Sequence, residues 1–333
     1  MTMGAPLRAL VLARDLFLTL VALPFLVPLR LLPWNAAGRL GSLYGLAAWA
    51  VLGTSRRAGL VNLPRAFGPS MSRAEAGHAV RAVFASLGRS LAEGIRFSAL
   101  PGRADGSWRA LYDAEDPGLE ARILADPRPK VFVTGHLGSW EVAMQMLDLA
   151  LEGRGAAVAR RVDNPFLDAL LRRVRRGDGA LIEKRGAVGP ALAALRSGTS
   201  VAVLLDENGG RSGPFPLFFG RPASTRKTAA LLSARTGAPI VVGAAVRRGE
   251  RFLFRLAFIE APGNGVPTPS DVLETTERIV RVWEAWVRED PLQWRWIHWR
   301  WKTRPGGSEE TYTRRDVTAA FEAEGPAITE ASA

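Results

Sequence analysis

Residues 131–147, VFVTGHLGSWEVAMQML, hold the residue types needed for proton-transfer chemistry in His136 and Glu141. On one continuous helix a five-residue separation would put the two side chains about 140° apart and out of contact. Gly135 permits a tight turn before the histidine. Ser139 is a good N-cap, so a helix is expected to begin at Trp140 with Glu141 in its first turn. The turn lets His136 fold back so that Glu141 holds one ring nitrogen and fixes the tautomer. The other nitrogen is then free to take a proton from a hydroxyl, and a base placed so contributes roughly 10² to 10⁴ in rate. The chain has no cysteine and no Gly-x-Ser-x-Gly elbow, so it offers no thiol or elbow serine as a nucleophile. Chemistry that develops negative charge here would also need hydrogen-bond donors. Gly138 and the amides at the start of the following helix are the candidates. On these residues alone, a structural histidine at a strand end and a glutamate that merely complements the helix dipole account for the segment as well.

The pair needs a strand before it and a helix after it. KVFVT, residues 130–134, is rich in β-branched side chains and reads as a buried strand. Ligand sites in open α/β sheets gather at the carboxyl ends of such strands. Further apolar strands are expected at 156–159, 200–205, 239–246 and 252–260, between helices at 140–152, 165–177, 187–197 and 224–236. That alternation predicts an α/β layered domain with a mostly parallel central sheet flanked by helices. Upstream, Ala76, Val80, Val83, Leu87, Leu91 and Ile95 recur at helical spacing over 72–97, with Ser72 and Glu75 as a capping box. Residues 103–129 are turn-rich with a short helical piece ending near Ala125, and a last helix spans 270–289.

The chain has 333 residues, with 44 Lys and Arg against 32 Asp and Glu, a formal charge of +12. A surface of this sign favours nucleic acid, anionic lipid or phosphorylated substrates. With no cysteine and three histidines (His78, His136 and His298), there is no disulfide framework and no adequate ligand set for a metal, so no metal or cofactor is expected. Near the N-terminus an uncharged run, Leu16 to Leu29, contains two prolines and falls short of the roughly 20 residues that span a bilayer. A second apolar stretch, LGSLYGLAAWAVLG, ends before Ser55-Arg56-Arg57. The two predict an uncleaved, monotopic or hairpin-like helical anchor over residues 1–57, with arginines on the cytoplasmic side. A pair of buried core helices is the competing reading. Trp283, Trp286, Trp294, Trp296, Trp299 and Trp301 suit a membrane interface or packing of the C-terminal segment against the core, aided by cation–π contacts. Residues 306–333 read as a loose polar tail.

The His-x4-Glu arrangement resembles the His-x4-acid motif of the glycerolipid acyltransferase superfamily. Its wider context looks like the bacterial branch, the lipid A biosynthesis late acyltransferases (lauroyl and myristoyl transferases). ARRVDNPFLDALLRRVRRGDGALIEKRGA resembles that family's Arg-x-x-x-Asn-Pro segment and arginine-rich helix. GTSVAVLLDENGG resembles its strand ending in Asp-Gln. PLFFGRPASTRKTAALLSARTGAPIVVGAAVRR looks like its Phe-Phe-Gly, Ala-x-Thr and Thr-Gly-Ala block, and PLQWRWIHWRWKTRP is similar to its closing Trp-x-His-x-Arg-x-Lys-x-Arg-Pro signature. The matches follow in order over about residues 130–305.

The resemblance implies a layered glycerolipid-acyltransferase-like domain, placed here at 58–305 behind the anchor. It would move a fatty acyl group from acyl carrier protein or acyl-coenzyme A to a hydroxyl of a saccharide lipid such as a lipid A precursor. It would sit on the cytoplasmic face of a bacterial inner membrane, against anionic lipids. His136 is then the general base and Glu141 its orienting partner, with Arg160 and Asn164 in the substrate cleft and Asp206 at its rim. Arg172, Arg173, Arg175, Arg176, Lys184 and Arg185 would hold phosphates, or else form a solvated basic helix face. Glu207 stands where the family has glutamine. Arg161 stands where it often has proline, so the choice of Arg160 rests on spacing to Asn164. His78 and His298 are assigned no chemistry. The rivals are the same chemistry on another glycolipid, phospholipid or aminolipid, and a basic nucleic-acid-binding protein; the latter leaves the apolar N-terminus unexplained, so no nucleic-acid partner is expected.

Overall fold

The computed structural model of the chain describes residues 5–68, 71–100, 106–174, 180–263, 265–309 and 316–317. A central sheet is built from β1 (Tyr112–Ala114), β2 (Val131–Thr134), β3 (Gly155–Ala159), β4 (Ala180–Glu183) and β5 (Ser200–Leu204). It is completed by β8 (Ile240–Arg248) and β9 (Arg251–Ile259), while β6 (Leu217–Phe218) and β7 (Arg221–Pro222) form a separate hairpin. The order is β1-β9-β8-β2-β5-β3-β4. All its pairings are parallel except the β8–β9 hairpin, as the strand–helix alternation predicts. The short strands β1 and β4 and the β6–β7 hairpin carry too little pattern to be read from sequence.

All four residues of β2 are buried, as a central parallel strand covered on both faces requires. Its side chains alternate between the two faces. Val131 and Val133 join one apolar cluster with Leu195, Leu232 and Ile279, which come from α8 (Val188–Arg196), α9 (Thr228–Thr236) and α10 (Pro269–Glu289). Phe132 points the other way, with Ile123 of α5 (Pro117–Ala125) and Met144 and Leu147 of α6 (Trp140–Ala150). The tryptophan-rich segment is core: Trp294, Trp296 and Trp301 are at most 1% exposed, and Trp283 and Trp286 are also buried. Five of the six tryptophans therefore pack inside the protein rather than at a membrane interface; Trp299 is half-buried.

The N-terminal region departs from expectation. Rather than a short run broken by proline, α1 is one helix, Ala5–Leu31, that continues through Pro24 and Pro28. The charges that bounded the run from sequence do not end it, because Arg14 pairs with Asp15 at 2.8 Å within the helix. Its apolar window covers Ala9–Leu31, 23 residues of mean hydropathy 2.1, long enough to cross a bilayer by length and composition. Most of that surface is open, with Leu10, Phe17 and Leu31 among its exposed side chains. The second apolar stretch behaves differently. It forms α2 (Trp34–Val51), whose Gly41 and Gly45 lie against α4 (Arg73–Phe97) as a packed helix pair. The expected boundary after Arg57 falls inside α3 (Gly53–Phe67). The capping box on α4 forms, with Ser72 and Glu75 bonding each other's backbone amides. Of the C-terminal tail, Val317 is described and packs against Ala58 and Val61; most of the remainder lies outside the described residues.

A Cβ at Gly45 would collide with the Phe84 carbonyl, and one at Gly88 with the Gly41 carbonyl. Gly88→Ala should therefore force α2 and α4 apart. The expected loss is about 1–3 kcal/mol, which lowers the melting temperature by several degrees. Thermal unfolding in detergent, followed by circular dichroism, checks this; an unchanged midpoint would show that the helices do not need this approach.

Candidate active site

β2 and β5 run parallel, with Thr134 opposite Leu204. The chain therefore emerges from both strands at one edge of the sheet, and His136 and Asp206 come out side by side. His136 Nδ1 lies 2.9 Å from Asp206 Oδ1. Asp206 Oδ2 accepts from the His136 backbone N–H at 2.6 Å and from the Trp294 indole Nε1 at 2.9 Å. A carboxylate on Nδ1 assigns the proton to that nitrogen and leaves Nε2 as the acceptor. Burial by itself raises the Asp206 carboxyl. The charge of His136 and the donors from His136 and Trp294 outweigh it and hold the group below the usual carboxylate range.

This arrangement corrects the sequence reading on two points. The carboxylate on the histidine ring belongs to Asp206, not Glu141, and Asp206 is beneath the imidazole rather than at the rim. Glu141 does lie in the first turn of α6. That turn is pressed against α4, where a Cβ on Gly94 would stand 2.5 Å from the Glu141 Cβ. His136, by contrast, stays at the sheet edge. Proximity in sequence proposed Glu141, whereas strand register supplies a residue 70 positions away.

The loop between β2 and α6 is held on several sides. Gly138 has φ +64°, and a Cβ there would collide with the Ala245 carbonyl. Its N–H donates to Gln293 O at 3.0 Å, and the Ser139 N–H donates to Ala245 O at 2.9 Å. Gly138 is therefore a packing and turn residue with its N–H already bonded, which removes it as an oxyanion donor. The Gly138 carbonyl accepts from Ser90 Oγ of α4 at 2.7 Å. Ser90 in turn is bonded by Arg247, whose guanidinium pairs at 2.7 Å with Glu93, a side chain 1% exposed. Sequence gave no sign of Ser90, Glu93 or Arg247, since their link to the site is purely spatial.

A cavity of about 420 Å³ opens beside His136, within the size range of small-molecule sites. Its apolar walls include Phe132, Met144, Leu147 and Leu151, and its polar groups include His136, Glu141, Arg160, Lys184 and Glu207. Among the expected binding residues, Arg160 lines the cavity while pairing with Asp163 at 3.4 Å; Arg161 pairs instead with Glu183. Asn164 is not on the cavity wall. Its Oδ1 caps α7 (Pro165–Val174) by accepting from Phe166 N and Leu167 N, and its Nδ2 donates to the Asp15 carbonyl of α1 at 2.8 Å. In the basic cluster, Arg172 pairs with Asp168 and Lys184 with Glu207, and Arg185 is exposed. Arg175, Arg176 and the side chain of Arg173 lie outside the described residues.

Two residues of the C-terminal segment join the site in roles the sequence did not assign them. Trp294 holds Asp206, and Arg295 Nη1 lies 3.3 Å from His136 Nε2 and 3.1 Å from Glu207 Oε1. The matched closing motif was the signal that could have found them. His298 serves structure: its Nε2 accepts from the Asn208 N–H at 3.0 Å. Burial lowers this histidine to about 4, against a smaller opposing effect of Glu207. Folding thus favours the neutral ring. Its contribution is whole above pH 6.5 and is lost as the pH falls toward about 4. The melting temperature should drop across that window, and His298→Gln should flatten the drop. Calorimetry from pH 7 to 4 reads this, and an identical pH profile in the variant would exclude His298 as its cause.

Comparison with known proteins places this geometry. The family model for "Bacterial lipid A biosynthesis acyltransferase" matches residues 8–303. The chain is 29% identical over 286 residues to the lipid A biosynthesis lauroyltransferase of Escherichia coli (strain K12), covering 84% of this chain and 90% of that protein. It is 28% identical over 287 residues to the palmitoleoyltransferase of the same organism and to a lipid A biosynthesis acyltransferase of Shigella flexneri, with the same coverage. The family match takes in α1, the His136–Asp206 pair and the closing tryptophan segment together, and the chain belongs to the bacterial lipid A biosynthesis acyltransferase family, an enzyme that transfers acyl groups.

Proposed function

We propose that the enzyme moves a fatty acyl group from an acyl thioester, borne by acyl carrier protein or coenzyme A, to a hydroxyl of a saccharide lipid such as a lipid A precursor. The observation that carries this reading is His136, its Nδ1 held by a buried carboxylate at 2.9 Å, on the wall of a largely apolar cavity. The acyl chain lies along Phe132, Met144 and Leu147, where each methylene removed from water contributes about 0.8 kcal/mol. The acceptor hydroxyl approaches Nε2 and gives up its proton as its oxygen attacks the thioester carbonyl. Asp206 keeps the ring in the required tautomer and stabilises the imidazolium that forms. Glu141, on the same cavity wall, is a further carboxylate of the site and faces the substrates beside the base.

The acceptor class is inferred from the relatives, each named for acyl transfer in lipid A biosynthesis. Helix α1 fits an anchor in the bacterial inner membrane, with the domain on the cytoplasmic side. Thr19 and the Asp15 carbonyl of α1 meet Asn164, so the anchor is joined to the segment that follows the cavity-lining strand β3.

The test offers purified membranes labelled acyl carrier protein and a tetra-acylated lipid A precursor. Label should reach the lipid with wild type. His136→Ala should lower kcat by roughly 10²–10⁴ with the fold retained, Asp206→Asn should approach the same loss, and Glu141→Gln should lower kcat/KM. Transfer to a different hydroxyl lipid alone would keep the chemistry and change the acceptor. Full activity of His136→Ala would end the reading.

A further inference from the structure

The reaction proposed above needs donors for the negative charge that develops on the thioester oxygen, and the loop that carries His136 has few to offer. The His136 N–H is bonded to Asp206, the Gly138 N–H to Gln293 O and the Ser139 N–H to Ala245 O. Leu137 is fully buried in a bridge with Trp294. Among the described residues, the cation in contact with the reactive nitrogen is Arg295, with Nη1 3.3 Å from His136 Nε2.

Arg295 is held by both backbone and side chain. Its N–H donates to the His136 carbonyl at 3.1 Å, which ties the two residues together as a unit. Its Nη1 also donates to Glu207 Oε1 at 3.1 Å, and the other Glu207 oxygen accepts from Lys184 Nζ at 3.1 Å. Burial raises the Glu207 carboxyl, but the Lys184 and His136 charges outweigh it and keep the carboxylate ionised. Among the described residues, Arg295 Nη2 and Nε make no hydrogen bond to protein. A third of the side chain is open to solvent, and both of its partners, His136 and Glu207, line the cavity. Arg295 is not itself on the cavity wall, but it puts a fixed cation with unused donors beside Nε2, the nitrogen that an attacking hydroxyl would meet.

Resting on the acyl-transfer reading, we infer that Arg295 is the oxyanion donor of this enzyme, with Glu207 and Lys184 as its positioning residues. As the acceptor oxygen bonds to the carbonyl carbon, its proton passes to Nε2 and the carbonyl π pair moves onto oxygen, where the Arg295 guanidinium binds it. Collapse of the intermediate breaks the C–S bond. The departing thiolate takes the proton back from Nε2, leaving an ester and a free thiol. Glu207 thereby acquires a purpose at the position where the family pattern has glutamine: a full negative charge that holds a guanidinium in place.

The experiment compares wild type, His136→Ala, Arg295→Met, Arg295→Lys and Glu207→Gln in two reactions: lipid acylation, and slow hydrolysis of the acyl thioester without acceptor. Both pass through the same oxyanion. Arg295→Met should lower kcat by about 10²–10³ in both, leaving KM for the thioester within roughly threefold, as loss of one oxyanion donor does. Arg295→Lys should recover part of the rate, and Glu207→Gln should show a smaller kcat loss of the same kind. Melting temperatures report folding, and if Arg295→Met does not fold the two conservative variants decide. An inactive His136→Ala beside an Arg295→Met that keeps wild-type kcat, or loses only KM, overturns the oxyanion assignment alone. Wild type acting on neither substrate, or His136→Ala remaining active, instead overturns the acyl-transfer reading beneath it.

Discussion

The in-register parallel pairing of β2 with β5 is the constraint from which the site follows. It sets a histidine and an aspartate at one sheet edge and puts the aspartate almost out of solvent, its side chain 4% exposed. A carboxylate there is costly to bury unless donors meet it. The His136 ring, the His136 amide and the Trp294 indole meet it. Gly135 is part of the same solution: a Cβ there would stand 2.6 Å from the Asp206 carboxyl carbon and 2.5 Å from the Trp283 ring. Placing a charge under the imidazole thus dictates a glycine on one side and tryptophans on the others.

The tryptophan segment is consequently both core and site. Trp294 donates to Asp206 while its ring packs against Phe218 and Trp296. One residue further on, Arg295 leaves the core and reaches the imidazole. Adjacent positions of one segment thus give a buried donor to the carboxylate and a cation beside the imidazole.

The basic excess is only partly a surface for polyanions. Arg247 is used on Glu93 behind the catalytic loop, Arg255 on Glu115 and Glu289, and Arg248 on Asp290. Arg300, 2% exposed, donates to the Ser224 carbonyl and Thr225 hydroxyl. Net charge therefore overstates the free cations available to an anionic membrane or substrate. Helix α4 carries another hidden economy of parts: one face meets α2 through glycines, another fixes Gly138 through Ser90. The N-terminal helices and the His136 loop share that element.

Much of this was legible in the residues. Short apolar runs marked β2, β5, β8 and β9, capping residues marked α4, and the turn chemistry of Gly135 and Ser139 put His136 at a strand end. These are local signals, because side-chain periodicity and backbone caps act within a few residues. What the sequence could not decide was partnership across distance. It named Glu141 for the ring nitrogen because Glu141 is near in the chain; the sheet brought Asp206 instead. It offered Asn164 as a substrate ligand, and the tertiary structure uses it as a helix cap and a tie to α1. It offered the Gly138 amide to an oxyanion, and Gln293 took it. It ended the apolar run at Arg14 and Asp15, which pair and let the helix continue. In each case the sequence drew attention to the residue by its local context. Its role was fixed by which polar group the folded chain placed within about 3 Å, a fact that composition and spacing do not contain.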